Sequence, residues 1–331
     1  MYIIAPQFIR EYLTDKFSTI GRISSSGNEF IMESLFIKND WKRHMSVNLD
    51  SGLWQCFKSG KKGNFISLYA QAENIGYFTA QKNLILRNFG NVQEEYIQEK
   101  DRNSQVPKLE QDSLTPININ SHSSDDPQVV AAWNYLFGRR LFNEETEEPD
   151  PFYLCREGKY KDRLIIPFKN DGFVYYFQGR ALGDQTPKYL NPSRDEGPKA
   201  SDILYPYDEE ADILVVCEGP LDARSLQLQG VNATATMGSN VSTTQAEVLS
   251  MFKGKIIMGY DNDDAGRKGI DKFDSLRKEL RMEEFYVCPP PSKYKDWNQA
   301  HVVSEDLKQW VLNSSRVYNY EYKIFNSLSL L

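Results

Sequence analysis

The stretches ILVVCEGPLD, residues 213–222, and IIMGYDNDD, residues 256–264, decide the fold. Each is a short unbroken apolar run that ends abruptly in acids. A strand with one wet face alternates apolar and polar residues, whereas a continuous run fits a strand buried on both faces, as in a parallel sheet covered by helices. Val231 to Met237 and Phe285 to Cys288 share this texture, and segments of helical spacing, including Ile270, Phe273, Leu276 and Leu280, separate the runs. The alternation predicts a βαβα unit around a parallel sheet. In open sheets of this kind ligands bind beyond the carboxyl ends of the strands. The acids that follow the runs, Glu218 and Asp222, Asp261 and Asp263, and Asp296 in Lys295-Asp296-Trp297-Asn298, are therefore expected to converge at one sheet edge.

Ionised carboxylates crowded into a partly dry site repel one another, so they take up protons or bind divalent cations. All-oxygen donors suit Mg2+ or Mn2+, and two such ions about 4 Å apart can align an in-line displacement at phosphorus. A calcium loop over Asp261 to Gly266 fails, because its fifth position would be Ala265 and its twelfth Lys272. For Asp264, capping of a following helix and metal binding stand side by side.

Glu218 with Gly219 and Asp222, then Gly238-Ser239, then Asp261 and Asp263 with Gly266, resemble a toprim domain over residues 211 to 302. Toprim domains serve primases, topoisomerases and some nucleases. The resemblance implies Glu218, Asp261 and Asp263 as catalytic metal ligands, Asp222 as support for the site and Asp296 as a contributor to a second ion. Asn298 departs from the pattern, since it stands where the family usually has another acid. Upstream, Asp162-Arg163-Leu164-Ile165-Ile166-Pro167-Phe168, Gln178-Gly179-Arg180-Ala181-Leu182 and Thr186-Pro187-Lys188-Tyr189-Leu190-Asn191 resemble the N-terminal subdomain of the RNA polymerase core of DnaG-type (bacterial and bacteriophage) primases. More weakly, Ala132 to Leu136 with Arg139 and Arg140 extends that likeness, which covers roughly 129–205. A polymerase whose template is read by base pairing needs cations for phosphates and triphosphate tails. Arg163, Arg180, Lys188 and Lys199 are the candidates for nucleotide and template binding, set against the ordinary reading of Lys and Arg as solvated surface charges.

Near the N-terminus, Ser34-Leu35-Phe36-Ile37, Trp54 to Ser59, Gly60, Gly63 and Asn64-Phe65-Ile66 resemble a primase zinc-binding domain. The positions matching the family's two ligand pairs are Ser34, Ile37, Cys56 and Ser59. One thiol does not make the four soft or imidazole ligands that structural zinc needs, so no zinc is expected. Phe36, Trp41, Leu53, Trp54, Phe57 and Phe65 are expected to supply a compensating apolar core. Trp54, Lys58, Lys61 and Lys62 read equally as stacking and phosphate contacts or as core and solvent residues.

The 331 residues hold several compact units, and 40% hydrophobic content is enough for a real core. No apolar run is long enough for a membrane helix and Met1 to Arg10 does not read as a signal peptide, so a cytoplasmic protein is expected. Cys56, Cys155, Cys217 and Cys288 are scattered without a CxxC pair, as suits a reducing compartment. The net charge of −7 disfavours phosphate contacts over most of the surface, but 156–199 is locally basic, with Arg156, Lys159, Lys161, Arg163, Arg180, Lys188, Arg194 and Lys199, while acids crowd 142–150. The segment 98–128, polar and broken by Pro107, Pro116 and Pro127, reads as a flexible linker.

The expected class is therefore a multi-domain α/β (α+β) protein. A small zinc-ribbon-like β domain without metal occupies 1–97, and the linker follows at 98–128. A mixed α/β polymerase-core subdomain spans 129–210, a toprim domain with a parallel sheet and flanking helices 211–303, and a C-terminal tail 304–331. The resemblances imply a primase that makes short RNA primers on a single-stranded DNA template from ribonucleoside triphosphates during replication, in the host cytoplasm if phage-encoded. The absence of a GxxxxGK[ST] loop assigns helicase action to a separate protein in trans. The alternatives are a toprim nuclease and a non-catalytic replication module.

Overall fold

The computed structural model describes residues 4–90, 109, 113–142, 152–170, 173–193 and 196–328. Residues 98–108 and 110–112 of the expected linker, the acidic stretch after Phe142, Asp171-Gly172 and Arg194 lie outside the described residues. The chain divides into two compact units, one of 1–103 with 243–253 and 273–283, the other of 104–242 with 254–272 and 284–331.

In the first unit, α1 (Pro6–Phe17) precedes β1 (Gly21–Ile23), β2 (Glu29–Met32), β3 (Met45–Asn48), β4 (Trp54–Cys56) and β5 (Lys62–Gly63), followed by α2 (Phe65–Glu73) and α3 (Tyr77–Gly90). The strands pair antiparallel in chain order. Period-two alternation buries Phe30 and Met32, Met45 and Val47, and Trp54 and Cys56, with Ile9, Leu13 and Phe17 of α1 and Phe65 and Leu68 of α2 in the same core. The same alternation corrects the expected compensating core. Leu53 and Phe57 flank β4 on its outer phase and are exposed, as is Trp41, 80% exposed beyond the turn at Asp40. Trp54, by contrast, is core: its indole N–H donates to the Asn64 carbonyl and the Ser67 hydroxyl, and Phe36 stacks on it at 5.3 Å.

Three of the four positions that match zinc ligands in the resemblance do meet. Cys56 Sγ donates to Ser34 Oγ at 3.1 Å and accepts from the Ser59 N–H at 3.4 Å. Beside them the buried Asp40 carboxylate accepts from the Ser34 and His44 amides and from the His44 ring. Hydrogen bonds thus tie these loops together.

The second unit begins with β6 (Leu114–Ile117), α4 (Pro127–Gly138), β7 (Phe152–Cys155), β8 (Arg163–Asn170), β9 (Phe173–Ala181) and β10 (Tyr189–Leu190). These strands form an antiparallel sheet of order β10-β9-β8-β7-β6. The expected linker is corrected here as well. Residues 114–117 pair with β7 and bury Ile117, and Asp126 caps α4 through the Gln128 N–H. Pro116 misled the reading: β6 is an edge strand, where a residue without an N–H is tolerated.

The chain continues through β11 (Ile213–Cys217), α5 (Pro220–Leu228), β12 (Ala233–Ala235), α6 (Thr243–Leu249), β13 (Lys255–Met258), α7 (Asp264–Glu279), β14 (Tyr286–Val287), α8 (Trp297–Val302), α9 (Leu307–Ser314), β15 (Arg316–Val317) and α10 (Tyr320–Leu328). The sheet order is β12-β11-β13-β14-β15, with β11, β12, β13 and β14 parallel and β15 antiparallel. The parallel sheet expected from the apolar runs is present. Residues 304–328 are no loose tail, however, because β15 extends the sheet and Leu307 and Val311 are buried. Among the described residues no helix is long and apolar enough to cross a membrane.

Candidate active site

The chain leaves β11 for β12 on one side and returns to β13 on the other, so the topological switch point lies between β11 and β13, where open sheets bind ligands. The register pairs Val216 with Met258, which brings Glu218 and Asp261 off neighbouring strands at nearly the same level. Pro220 opens α5 two residues after Glu218, its fixed φ suiting the first helical position, and places Asp222 in the first turn. Beyond β13, Tyr260 is fully buried with its hydroxyl on Thr236, while Asp263 accepts the Gly266 N–H at 2.8 Å at the start of α7. Gly266 is required there: a Cβ would stand 2.2 Å from the Asp261 carbonyl oxygen and 3.2 Å from Glu218 Oε1. The buried Trp297 donates its indole N–H to the Gly259 carbonyl at 2.7 Å, which fixes Asp296 and Asn298 on either side of it.

Glu218, Asp222 and Asp296 are each held by a backbone donor. Glu218 Oε1 accepts from the Asp261 N–H at 3.3 Å, Asp222 from Asn298 at 3.1 Å and Asp296 from Gln299 at 2.8 Å. Asp264 is exposed and pairs with Arg267. Among the described residues no three His, Cys, Asp or Glu side chains already surround one ion position. Glu218, Asp222 and Asp261 share charge strain. Burial, then Asp261 and Asp263, push the Glu218 carboxyl up to about 7. Asp222 is pushed up to about 7 by burial, Asp296 and Asp261, and Asp261 up to about 6 by burial, Asp296 and Asp263. An all-oxygen set whose members repel in this way fits hard divalent cations, which would relieve the repulsion.

Cations stand close by. The Lys188 ammonium is pushed below its usual range, first by Arg180 and burial, then by Arg139 and Lys295. Arg180, only 8% exposed, lies 4.6 Å over the Tyr189 ring and 5.5 Å over the Tyr135 ring, and its Nε is buried without a hydrogen-bond partner. Arg139 faces the Tyr135 ring at 4.9 Å. Arg163 is spent differently: it is 4% exposed and donates to the Pro187 carbonyl at 2.8 Å, bracing the segment that carries Lys188. Lys199 is exposed at the start of a short 3-10 turn. Tyr135, Tyr189 and Lys295 were absent from the sequence-based site, and Arg139 appeared only as part of a weak likeness. Tyr135 and Arg139 precede Glu218 by about 80 residues on a helix whose polar face reads as a solvated one.

A family model described as Toprim-like matches residues 215–301. The DNA primase of Thermotoga maritima is 32% identical over 171 residues, 49% of this chain and 30% of that protein. That of Aquifex aeolicus is 26% identical over 307 residues, 82% of this chain and 61% of that protein. The chain thus spans less than two thirds of the length of these relatives. Its fold is also similar to a crystal structure of the Aquifex aeolicus primase zinc-binding and RNA polymerase domains, with a TM-score of 0.45 and 22% identity over 94% of this chain and 83% of that one. The segment 215–301 is toprim-like, and the chain is related in sequence to bacterial DNA primases.

Proposed function

We propose that this chain synthesises short RNA primers on single-stranded DNA from ribonucleoside triphosphates during replication. The observation that carries the proposal is the pairing of a charge-strained carboxylate cluster at the β11/β13 switch point with an adjacent row of cations and aromatic rings, in a chain related to bacterial DNA primases. In the reaction a 3′ hydroxyl attacks the α-phosphorus of a triphosphate. A new phosphodiester forms, the bond to the β-phosphate breaks, pyrophosphate leaves and the hydroxyl proton passes to solvent.

Glu218, Asp261 and Asp263 would hold Mg2+ or Mn2+, with Asp222 and Asp296 toward a second ion. Bound there, divalent ions supply a less basic attacking oxygen and stabilise the leaving pyrophosphate. The protein's own part is positioning. Arg180 and Lys188, with exposed Lys199, offer charge to triphosphate or template phosphates, and Arg163 braces Lys188 through the Pro187 carbonyl. A replicative helicase would act in trans, and the site of action would be the cytoplasm, that of the host for a phage protein.

The test is incubation with single-stranded DNA, Mg2+ or Mn2+ and labelled ribonucleotides. RNA primers are expected, and cut DNA or no product would overturn the proposal. Asp261→Asn and Asp263→Asn are expected to lower synthesis by roughly a hundredfold or more while the circular dichroism spectrum stays that of the parent.

A further inference from the structure

We infer that Asn298 is a positioning residue, an uncharged clasp that fixes the Arg139 guanidinium beside Asp222. The inference rests on the reading of the acid cluster as the reacting centre. Asn298 is 3% exposed, and all its polar groups are engaged. Its Oδ1 accepts from Arg139 Nη1 at 2.7 Å, and its Nδ2 donates to the Arg139 carbonyl at 2.9 Å and to Ser225 Oγ at 3.0 Å. Its backbone N–H donates to Asp222 Oδ1 at 3.1 Å. One residue of α8 therefore holds both the C-terminal end of α4 and the first turn of α5.

The chemistry selects an amide. Arg139 offers Asn298 a donor, the guanidinium, and an acceptor, the backbone carbonyl. Only a side chain with an acceptor and N–H donors on one carbon satisfies both. A carboxylate, the group the resemblance leads one to expect here, would meet the guanidinium but face the carbonyl oxygen with a second acceptor, leaving a buried polar group unsatisfied. The position thus serves as a tie that places a cation. Arg139 is the end of a stacked row in which its guanidinium and that of Arg180 share the Tyr135 ring and Arg180 lies over Tyr189. Releasing Arg139 loosens the row beside the carboxylates.

A double-mutant cycle on the full chain tests this, read as affinity for a fluorescent ribonucleoside triphosphate in Mg2+ and as the split between kcat and KM in primer synthesis. Asn298→Ala and Arg139→Ala are each expected to weaken triphosphate binding about tenfold, about 1.4 kcal/mol, and to raise KM more than they lower kcat. The double variant should be no weaker than Arg139→Ala alone. Ser225→Ala removes one buried partner of Asn298 without touching Arg139, so it should lower the thermal midpoint and leave the affinity alone. Asn298→Leu, of similar size and without polar groups, serves in the cycle if the alanine variant fails to fold, and its loss should again vanish without Arg139. Additive losses, unchanged affinity in Asn298→Ala, or Ser225→Ala weakening binding as much as Asn298→Ala would each overturn the clasp. Wild-type protein that binds triphosphate but makes no RNA would overturn the proposed function and leave the cycle able to decide the clasp. Wild-type protein that binds no triphosphate would overturn both.

Discussion

Glu218 sits where folding alone would not choose to put it. Burial and the neighbouring charges of Asp261 and Asp263 work against its ionised form, and one backbone N–H only partly offsets them. Neutralising it should therefore help the metal-free fold and harm the loaded one. Glu218→Gln is expected to raise the thermal midpoint in EDTA and to lose most of the rise that Mn2+ gives the parent, because a ligand stabilises only the state that binds it. Scanning calorimetry with and without Mn2+ reads both, and a midpoint that falls in EDTA would argue against charge strain at this residue. Glu247 on α6 poses the problem away from the site. Burial, partly offset by Lys62, pushes its carboxyl up to about 7 from an ordinary 4.5. The folded state then binds the extra proton, so this residue's contribution is full below pH 4.5 and is lost as pH rises through about 7. Glu247→Gln should flatten that loss and be more stable than the parent by roughly 1 kcal/mol at pH 8, but not at pH 4. Urea unfolding at the two pH values measures it. Glu218, Asp222 and Asp261 were legible because acids directly after buried runs have one place to go in a parallel sheet. Arg139 and Asn298 were not, since a residue's hydrogen-bond partners 159 positions away leave no local trace.

The strands that sequence located best are those buried on both faces, β11 and β13, whose continuous apolar character admits few other readings. Short edge strands were harder. β6 and β15 take much of their definition from a neighbour, and β6 contains Pro116, which normally argues against a strand. In β4 the period was available but was overridden by composition: aromatic residues were assigned to a core although Leu53 and Phe57 fall out of phase with Trp54 and Cys56. The consequence for the C-terminal elements is testable. Tyr318 lies against Phe285 at 4.9 Å and its hydroxyl donates to Asp271 at 2.6 Å, while Leu307 and Val311 are buried. Fully burying each such aliphatic side chain is worth about 1.5–3 kcal/mol, so removal of 304–331 should abolish cooperative unfolding or leave the chain insoluble. A loose tail would instead leave the midpoint where it was, as differential scanning fluorimetry would show at once.

For the molecule as a whole, the question is how an acidic protein would grip the polyanion that the proposed function requires. With a net charge of −7, attraction for a polyanion has to come from local basic patches, such as the one around Arg180, Lys188 and Arg139. A lysine whose proton affinity is depressed by neighbouring cations is relieved by a phosphate, the mirror image of the carboxylates relieved by a metal ion. Binding that rests on so few contacts releases few counterions. With about three phosphates neutralised, the logarithm of the affinity for single-stranded DNA should fall with the logarithm of salt at a slope of about −2. Lys188→Ala should bring that slope about 0.7 nearer to zero and weaken binding by a similar factor on every template sequence, since a phosphate contact reads no base. Fluorescence anisotropy of labelled oligonucleotides across a salt series measures the slope. If it is much steeper, or unmoved by Lys188→Ala, the template is held by charges elsewhere on the protein, and the row of stacked cations serves the triphosphate alone.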